Sequence, residues 1–420
     1  MKYVSELECT DCGKSYKPLP DRYLCDYCGE RGLLEVKYDY GRIASDWSRD
    51  DLRDDPRQSI WRYGPLLPVE PETERPLLRV GHTPLYRSRD LAAELGLESI
   101  IIKDDGLNPT GSLKDRASAI AAVKAQEAGN TTVACSSTGN AASSLAGNVA
   151  SLGGEMETVI FVPGRAPGGK LAQLLIYGAT VVSVQGSYEE AYELSAEAIE
   201  HWGWYNRNAA INPYMVEGKK TCVLEMAEQL DYRMPDWLVF SVGDGCTIAG
   251  AGKALRDLQE IGFSEDETRL LGVQAEGCAP ITESFHSGEE LEVSSEDTIA
   301  DSIAVGKPRN YRKAIRAVRE TGGTMVNVSD DEIHEMMRVL GNKTGIFGEP
   351  AAAAGLAGIR RMVKRGEIAQ GESVGYVVTG NGLKDIDNAR RAASAPLEVE
   401  PDLSRLRDKF KQRGITGEDE

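Results

Sequence analysis

The feature that most constrains the fold is a repeated order of strand, polar or glycine-rich turn, and helix. From about residue 84 onward, short apolar and β-branched runs alternate with helical stretches. This alternation is typical of a parallel sheet covered by helices, so we predict an α/β fold. The predicted strands are Ser99–Lys103, Thr132–Cys135, Thr158–Val162, Thr180–Val184, Trp237–Val242, Leu270–Gln274 and Val374–Val378, and the predicted helices follow Ser112, Thr138, Gly168, Tyr188, Thr247 and Glu349.

Two cysteine pairs near the N-terminus have the spacing of a zinc ribbon. They are Cys9 with Cys12 and Cys25 with Cys28, and a glycine follows each pair. Two such turns can close four thiolates around a structural Zn²⁺, and four sulfur ligands leave no open position for catalysis. A redox pair or a degenerate site is the alternative. We predict that the scattered cysteines are buried as small hydrophobic residues; these are Cys135, Cys222, Cys246 and Cys278.

The charge and hydropathy of the chain restrict its partners. The formal charge is −18, whereas phosphate backbones are bound by clustered lysine and arginine, so we expect no nucleic-acid partner. An anionic substrate needs a local cationic pocket. No apolar run reaches the roughly 20 residues of a membrane helix, and residues 1–8 lack the features of a signal peptide. We therefore expect a cytoplasmic protein without membrane contact, whose acidity reflects either a solvated surface or a salt-rich host.

The first candidate catalytic motif places Lys114 at the start of a predicted helix. We expect Ser112 to cap this helix and Asp115 to lie at its positive end, with Lys114 facing the strand ends that line α/β crevices. From spacing alone, a surface lysine is the alternative.

The second motif, residues 136–142, brings several hydroxyl and amide side chains to another strand–helix junction. This is more than capping requires, and such a junction can face an anion.

Two more glycine-rich turns follow predicted strands. The amides of Gly243–Thr247 can bind a phosphate at the N-terminus of a helix that begins near Ile248. We expect the Asp244 carboxylate to turn away from that phosphate and cap local amides. Thr379 stands at the end of the last predicted strand, before Gly380. Each turn is also compatible with an ordinary capped helix.

Taken together and in this order, the four motifs resemble the fold-type II pyridoxal-phosphate family, and within it the threonine synthases. The resemblance covers about residues 81–391 and includes the motifs at residues 81–85, 212–213, 217–218 and 345–351. It implies two parallel-sheet domains with the cofactor between them, preceded by a small zinc ribbon. The corresponding boundaries are 1–40 for the ribbon, 41–80 for a connector, 81–118 with 205–395 for the large cofactor-binding domain, 119–204 for the small domain and 396–420 for a charged tail.

The resemblance also implies roles for individual residues and a homodimer. Lys114 holds pyridoxal 5′-phosphate as a Schiff base and moves protons, Asn140 contacts the phenolic oxygen of the cofactor, and Thr379 faces its ring nitrogen. The cofactor phosphate is held by Gly243, Asp244, Gly245, Cys246 and Thr247, and the substrate by Ser137, Thr138 and Gly139. A hydroxyl at the ring nitrogen favours elimination and replacement over transamination.

Three functions are compatible with these motifs. The first is that of threonine synthase, which converts O-phosphohomoserine and water to threonine and phosphate. The second is β-elimination or β-replacement on serine, threonine or phosphoserine, as in threonine dehydratase or cysteate synthase. The third is a non-catalytic protein whose ribbon contacts protein or nucleic acid, which the presence of Lys114 disfavours.

The chain departs from the threonine synthase pattern at several positions. Residues 209–215 lack the polar side chains and the arginine that help hold a substrate phosphate, and Leu113 and Asn381 stand where many relatives have Phe and His. The candidates to replace the missing cation are Lys219, Lys220, Arg116 and Arg309.

Overall fold

The chain forms one small antiparallel sheet and two mainly parallel sheets. A computed structural model describes residues 1–164, 168–186, 188–208 and 211–415. The prediction of an α/β fold is confirmed, since the strands of the two larger sheets alternate with helices along the chain. No helix in these described ranges is long and apolar enough to span a bilayer.

The antiparallel sheet contains the cysteine pairs. Its strands are β1 (Val4–Cys9), β2 (Ser15–Tyr16), β3 (Leu24–Cys25) and β4 (Gly29–Tyr38), in the order β2-β1-β4-β3. The following segment, up to residue 80, forms α1 (Tyr40–Asp46), α2 (Arg49–Asp54) and a 3₁₀ helix (Ile60–Leu66). A capping box between Ser48 and Asp51 begins α2.

The larger sheet has six strands in the order β13-β12-β11-β14-β6-β5. They are β5 (Leu85–Arg87), β6 (Ser99–Asp104), β11 (Trp237–Ser241), β12 (Arg269–Ala275), β13 (Thr324–Val328) and β14 (Ser373–Val378). All pairs are parallel except β5 with β6. Every residue of β11 is buried, because helices cover both faces of a parallel sheet.

The smaller sheet is entirely parallel and has the order β10-β7-β8-β9. Its strands are β7 (Thr132–Ser136), β8 (Glu157–Pro163), β9 (Thr180–Val184) and β10 (Tyr205–Asn206). All seven predicted strands are present in the two parallel sheets, with ends that differ by at most one residue. Strands β5, β10 and β13 were not predicted from the sequence.

The remaining helices connect and cover these strands. They are α3 (Arg89–Leu95), α4 (Lys114–Glu127), α5 (Asn140–Ala150), α6 (Gly168–Ile176), α7 (Tyr188–Trp202), α8 (Tyr214–Gln229), α9 (Cys246–Glu260), α10 (Pro280–Ser287), α11 (Tyr311–Glu320), α12 (Asp330–Thr344), α13 (Pro350–Lys364), α14 (Ile386–Ala392) and α15 (Leu403–Gln412). The six predicted helices are α4, α5, α6, α7, α9 and α13. Helix α15 buries no residue, as expected for the charged tail, whose last residues, 416–420, lie outside the described ranges.

The N-terminal sheet is attached to the helices by buried polar contacts from β4. The Lys253 ammonium on α9 donates to the Val36 carbonyl at 2.8 Å, and the Tyr38 hydroxyl donates to Glu217 on α8 at 2.7 Å. On α11, Lys313 donates to the Leu34 carbonyl. These bonds satisfy charged groups that would otherwise be costly to bury, so the sheet and the helices form one packed unit.

Candidate active site

Lys114 is brought to the carboxyl ends of the larger sheet by backbone hydrogen bonds. The Leu113 amide donates to the Thr379 carbonyl at 2.9 Å, and the Asn381 amide donates to the Gly111 carbonyl at 3.0 Å. The loop before α4 is therefore fixed to the turn that follows β14. Both Lys114 and Thr379 line the same cavity, whose volume is about 400 Å³.

The expected cap of α4 by Ser112 is wrong. Leu113 occupies the N-cap position without a side-chain hydrogen bond, and the Ser112 hydroxyl has no partner among the described residues. The backbone bonds to the β14 turn fix the entry into the helix and take the place of a side-chain cap. Asp115 does lie in the first turn, where its carboxylate accepts from the Thr110 amide at 2.8 Å. Burial raises the pKa of Asp115 to about 6.

The amine of Lys114 is easier to deprotonate than an ordinary lysine. Burial of the amine, and to a lesser extent the positive charge of Lys219, lowers the pKa of Lys114 to about 8. Desolvation disfavours the charged form of an amine, and a nearby cation adds to this effect. A lysine of this kind can act as a nucleophile and as a proton carrier near neutral pH.

Asn140 begins α5 and faces a carboxylate that the sequence analysis did not assign to the site. Its amide nitrogen donates to both carboxylate oxygens of Glu349, at 2.9 and 3.0 Å, and lies 3.3 Å from the Ser302 hydroxyl. Burial raises the pKa of Glu349, with Asn140 opposing the shift. Glu349 was visible in the sequence as the residue before the proline that opens α13, but that signal indicates only a helix start.

The glycine-rich turn after β11 ends at the N-terminus of α9, two residues earlier than predicted. Gly245 has φ +87°, and a Cβ there would lie 2.9 Å from the Cβ of Ala314. At Gly243 a Cβ would lie 3.0 Å from the Cα of Ile303. Glycine is required at position 245 and relieves a close contact at position 243, and the backbone amides of the first helical turn have no partner within the helix. This turn is a suitable cradle for a phosphate.

Asp244 is turned toward protein groups, as we expected. Its carboxylate accepts from the Cys246 amide at 2.9 Å and lies 3.8 Å from the Lys219 ammonium. Burial opposes ionisation, but the charges of Lys219 and Lys114 outweigh it and lower the pKa of Asp244. Lys219 thus partly neutralises the one carboxylate in the turn.

The structure brings every residue predicted to hold cofactor or substrate to one region. The cavity is lined by Lys114, Ser137, Thr138, Gly139, Asn140, Gly243, Asp244, Gly245, Thr247 and Thr379. Cys246 does not line it but is the first residue of α9, with a buried side chain. The smaller sheet contributes the wall at residues 137–140, and the larger sheet contributes the walls at residues 243–247 and 379.

Two of the four cations considered for a substrate phosphate are occupied elsewhere. Arg116 is buried in ion pairs with Asp105 and Glu225, and Lys220 is buried between Glu217 and Asp257. Neither lines the cavity. Lys219 lies beside Asp244, as described above, and Arg309 lines the cavity. Ala209 and Ala210 lie outside the described residues, and the Met215 side chain is buried.

The four N-terminal cysteines form a second candidate site. Their sulfur atoms all lie within 4.8 Å of one another, and those of Cys12 and Cys25 are 3.7 Å apart. A tetrahedral zinc with bonds of about 2.3 Å separates its sulfurs by about 3.8 Å, so the cluster has suitable dimensions. Gly13 and Gly29 have φ of +72° and +56°, as expected for turns that follow the cysteine pairs. The four scattered cysteines are all buried, which confirms that prediction.

The fold and the cavity define a class of enzyme: a lysine of lowered pKa and a phosphate cradle face one another between parallel sheets. The chain belongs to the family of pyridoxal-phosphate dependent enzymes, because the sequence model of that family matches residues 77–380. It is 37% identical over 408 residues to threonine synthase of Methanocaldococcus jannaschii, which covers 96% of this chain and 99% of that protein. It is 38% identical over 405 residues to threonine synthase of Methanosarcina acetivorans, with coverage of 96% and 98%.

Solved structures show the same fold at lower sequence identity. Threonine deaminase isoform 2 of Solanum lycopersicum superposes with a TM-score of 0.64 and 23% identity, covering 74% of this chain and 87% of that one. Maize serine racemase superposes with a TM-score of 0.63 and 21% identity, with coverage of 79% and 92%. These two neighbours confirm the predicted fold-type II architecture.

Proposed function

We propose that the protein is a threonine synthase, which converts O-phosphohomoserine and water to threonine and phosphate. The main observation is the cavity in which Lys114, with its lowered pKa, shares walls with the Gly243–Thr247 turn. The near full-length similarity to two proteins described as threonine synthases supports this choice over β-elimination or β-replacement on serine, threonine or phosphoserine.

In this proposal Lys114 attaches pyridoxal 5′-phosphate and the surrounding residues orient it. The bound cofactor supplies an electron sink for carbanions at the substrate. The first-turn amides of α9 hold the cofactor phosphate, with Gly243, Gly245 and Thr247 lining the approach. Asn140 would donate a hydrogen bond to the phenolic oxygen of the ring, and the Thr379 hydroxyl would lie at the ring nitrogen. Ser137, Thr138 and Gly139 bind the carboxylate of the substrate with hydroxyl and amide donors.

Lys114 then serves as the base. Its amine would take the proton from the α-carbon of the substrate and pass it on before it takes a second proton from the β-carbon, as the C–O bond breaks and phosphate leaves the γ-carbon. Water would then add its hydroxyl at the β-carbon, and the two abstracted protons and the proton released by water would go to the γ-carbon, the α-carbon and the phosphate. A pKa near 8 suits this role, because a base works best when its pKa is close to the working pH. Glu349, which also lines the cavity, accepts both hydrogen bonds from the Asn140 amide, so at least one of them must open before that amide can donate to the cofactor.

We also propose that the four-cysteine cluster binds one structural Zn²⁺ and that the enzyme is a cytoplasmic homodimer. Support for zinc comes from the spacing of the sulfur atoms and from four thiolates being a typical structural ligand set. A reducing compartment preserves such thiols. Size-exclusion chromatography with light scattering tests the dimer.

The activity is tested with the purified holoenzyme and four substrates: O-phosphohomoserine, serine, threonine and phosphoserine. Threonine and phosphate in equal amounts support the proposal, whereas keto acid and ammonia from serine or threonine favour the elimination alternative. Lys114→Ala should abolish turnover and the visible absorbance of the bound cofactor. Lys343→Ala, which removes a surface lysine from an ion pair with Glu94, should change neither turnover nor absorbance.

A further inference from the structure

We propose that Arg207 is the specificity-determining residue that receives the anionic group at the γ-end of the substrate. Arg207 follows β10 and lines the cavity, and its side chain is 1% exposed. This inference rests on the proposed function, because the anion in question is the phosphate of O-phosphohomoserine. Arg207 was not among the cations predicted from the sequence to hold a substrate phosphate.

The Arg207 guanidinium is incompletely satisfied. One terminal nitrogen donates to the Ser118 hydroxyl at 3.1 Å, while Nε has no hydrogen-bond partner within the described part of the chain. No carboxylate of the described residues lies within ion-pair distance of it. A buried guanidinium without a counter-ion is costly, and its burial lowers the pKa of Arg207. An anion in the cavity would remove this cost.

Two neutral donors without partners stand beside Arg207. The side-chain oxygen of Asn208 accepts from the Ser136 amide at 3.2 Å, which leaves the Asn208 amide nitrogen as a donor without a partner in the described structure. The Ser136 hydroxyl is also buried without a partner there. Both residues line the cavity. Phosphate oxygens accept several hydrogen bonds, and an arginine fork matches them better than a lysine does.

The position of Arg207 follows from the smaller sheet. Its backbone amide donates to the Ala134 carbonyl on β7 at 3.0 Å, which extends the pairing of β10 with β7 by one residue. Because Ser136 ends β7, the parallel strands deliver Ser136, Arg207 and Asn208 to the same sheet edge. Residues 137–139, which we assign to the substrate carboxylate, follow directly. One sheet edge can therefore hold both ends of an amino acid that carries a γ-phosphate.

The other anion has a binding turn of its own, and of the other cations that line the cavity, Lys114 attaches the cofactor and Lys307 is exposed. The cofactor phosphate belongs to the Gly243–Thr247 turn on the larger sheet. Arg309, which also lines the cavity, lies 3.8 Å from Glu189 and over the ring of Tyr192 at 4.1 Å. Arg207 is thus the cavity arginine that is both buried and without a carboxylate partner in the described residues.

The proposal is tested by steady-state kinetics of the holoenzyme variants Arg207→Gln and Arg207→Lys. Loss of one charge-assisted contact should raise the KM for O-phosphohomoserine about 10- to 100-fold in Arg207→Gln, with cofactor absorbance retained. Arg207→Lys keeps the charge without the planar fork and should give an intermediate KM. Arg312→Gln, which removes an arginine from a surface ion pair with Asp11, should behave as the parent enzyme.

A binding experiment separates this inference from the proposed function. Inorganic phosphate is titrated into the cofactor-saturated enzyme by calorimetry. Arg207→Gln should raise the dissociation constant for phosphate at least 10-fold. If the parent enzyme does not turn over O-phosphohomoserine but binds phosphate through Arg207, the proposed function fails and the anion site stands. An unchanged KM and unchanged phosphate binding in Arg207→Gln, or an increase in KM confined to Arg309→Gln, would overturn the assignment of Arg207.

Discussion

Replacing Glu225 with glutamine should destabilise the protein strongly, because this carboxylate is the centre of a buried ionic network. Glu225 accepts from the backbone amides of His82 and Thr83, at 2.6 and 2.8 Å, and forms ion pairs with Lys103 and Arg116. All the charged side chains of the network are at most 3% exposed.

The magnitude follows from the charge that the substitution leaves behind. Asp105 can still pair with Arg116, at 2.7 Å, but Lys103 retains only neutral acceptors. Removing one partner from a buried pair costs about 3–5 kcal/mol, because the remaining charge is uncompensated. Arg116 lies two residues after Lys114, so we also expect weaker cofactor binding.

The assay is urea unfolding of the holoenzyme at neutral pH, followed by circular dichroism. The matched control is Glu335→Gln, which removes an ion pair with Arg360 from a side chain that is 46% exposed and should cost no more than about 1 kcal/mol. A loss in Glu225→Gln no greater than that of the control would refute the reasoning.

The destabilisation caused by Glu225→Gln should depend on pH. The charges of Arg116 and Lys103 outweigh the effect of burial and hold the pKa of Glu225 well below its usual range. The stabilisation is therefore complete above the unfolded pKa of about 4.3 and is lost as the pH falls toward the folded value. The difference in unfolding free energy between the parent and Glu225→Gln should accordingly shrink below about pH 4.

Three further predictions test the sites. The rate at which cofactor-free protein takes up pyridoxal phosphate should rise with pH, with a midpoint at the Lys114 pKa of about 8. Lys219→Gln removes a nearby positive charge and should move this midpoint to higher pH. A midpoint near 10.5 in the parent protein would contradict the lowered pKa. Metal analysis should find about one zinc per chain, lost in Cys9→Ser and kept in Cys278→Ser, whereas a metal-free but fully folded protein would exclude a structural site. Gly245→Ala should weaken cofactor binding, because φ is +87° and the added Cβ meets Ala314; Gly262→Ala, at φ +73° with open space around it, should cost about 1–2 kcal/mol of stability and leave cofactor binding unchanged.

Local sequence patterns were sufficient for seven of the ten strands in the two larger sheets and for the turns that follow them. Thr180–Val184 is a run of β-branched residues, and both its limits were predicted correctly. Strand β13 was missed because Met325 and Asn327 interrupt its β-branched residues and no glycine-rich turn follows it. The capping box of Ser329 and Glu332 would have revealed the next helix, α12.

The site was predictable only where a motif contains its own signal. Lys114, Asn140 and Gly245 stand at strand–helix junctions, which sequence reveals. Arg207 and Glu349 depend on residues far along the chain: Arg207 on the pairing of β10 with β7, and Glu349 on its contact with Asn140, 209 residues away. Pairing between distant strands and the loss of a counter-ion on burial cannot be deduced from spacing.

The attachment of β4 to the helices has a consequence for the evolution and engineering of this enzyme. If the chain began at residue 41, Lys313 and Lys253 would lose the carbonyl acceptors of Leu34 and Val36. Glu217 would lose the hydrogen bond that it accepts from Tyr38. Two of these side chains belong to the helices that flank the Gly243–Thr247 turn, namely Lys253 on α9 and Glu217 on α8. We therefore expect a lineage that discards its first forty residues to replace these two lysines and Glu217 together.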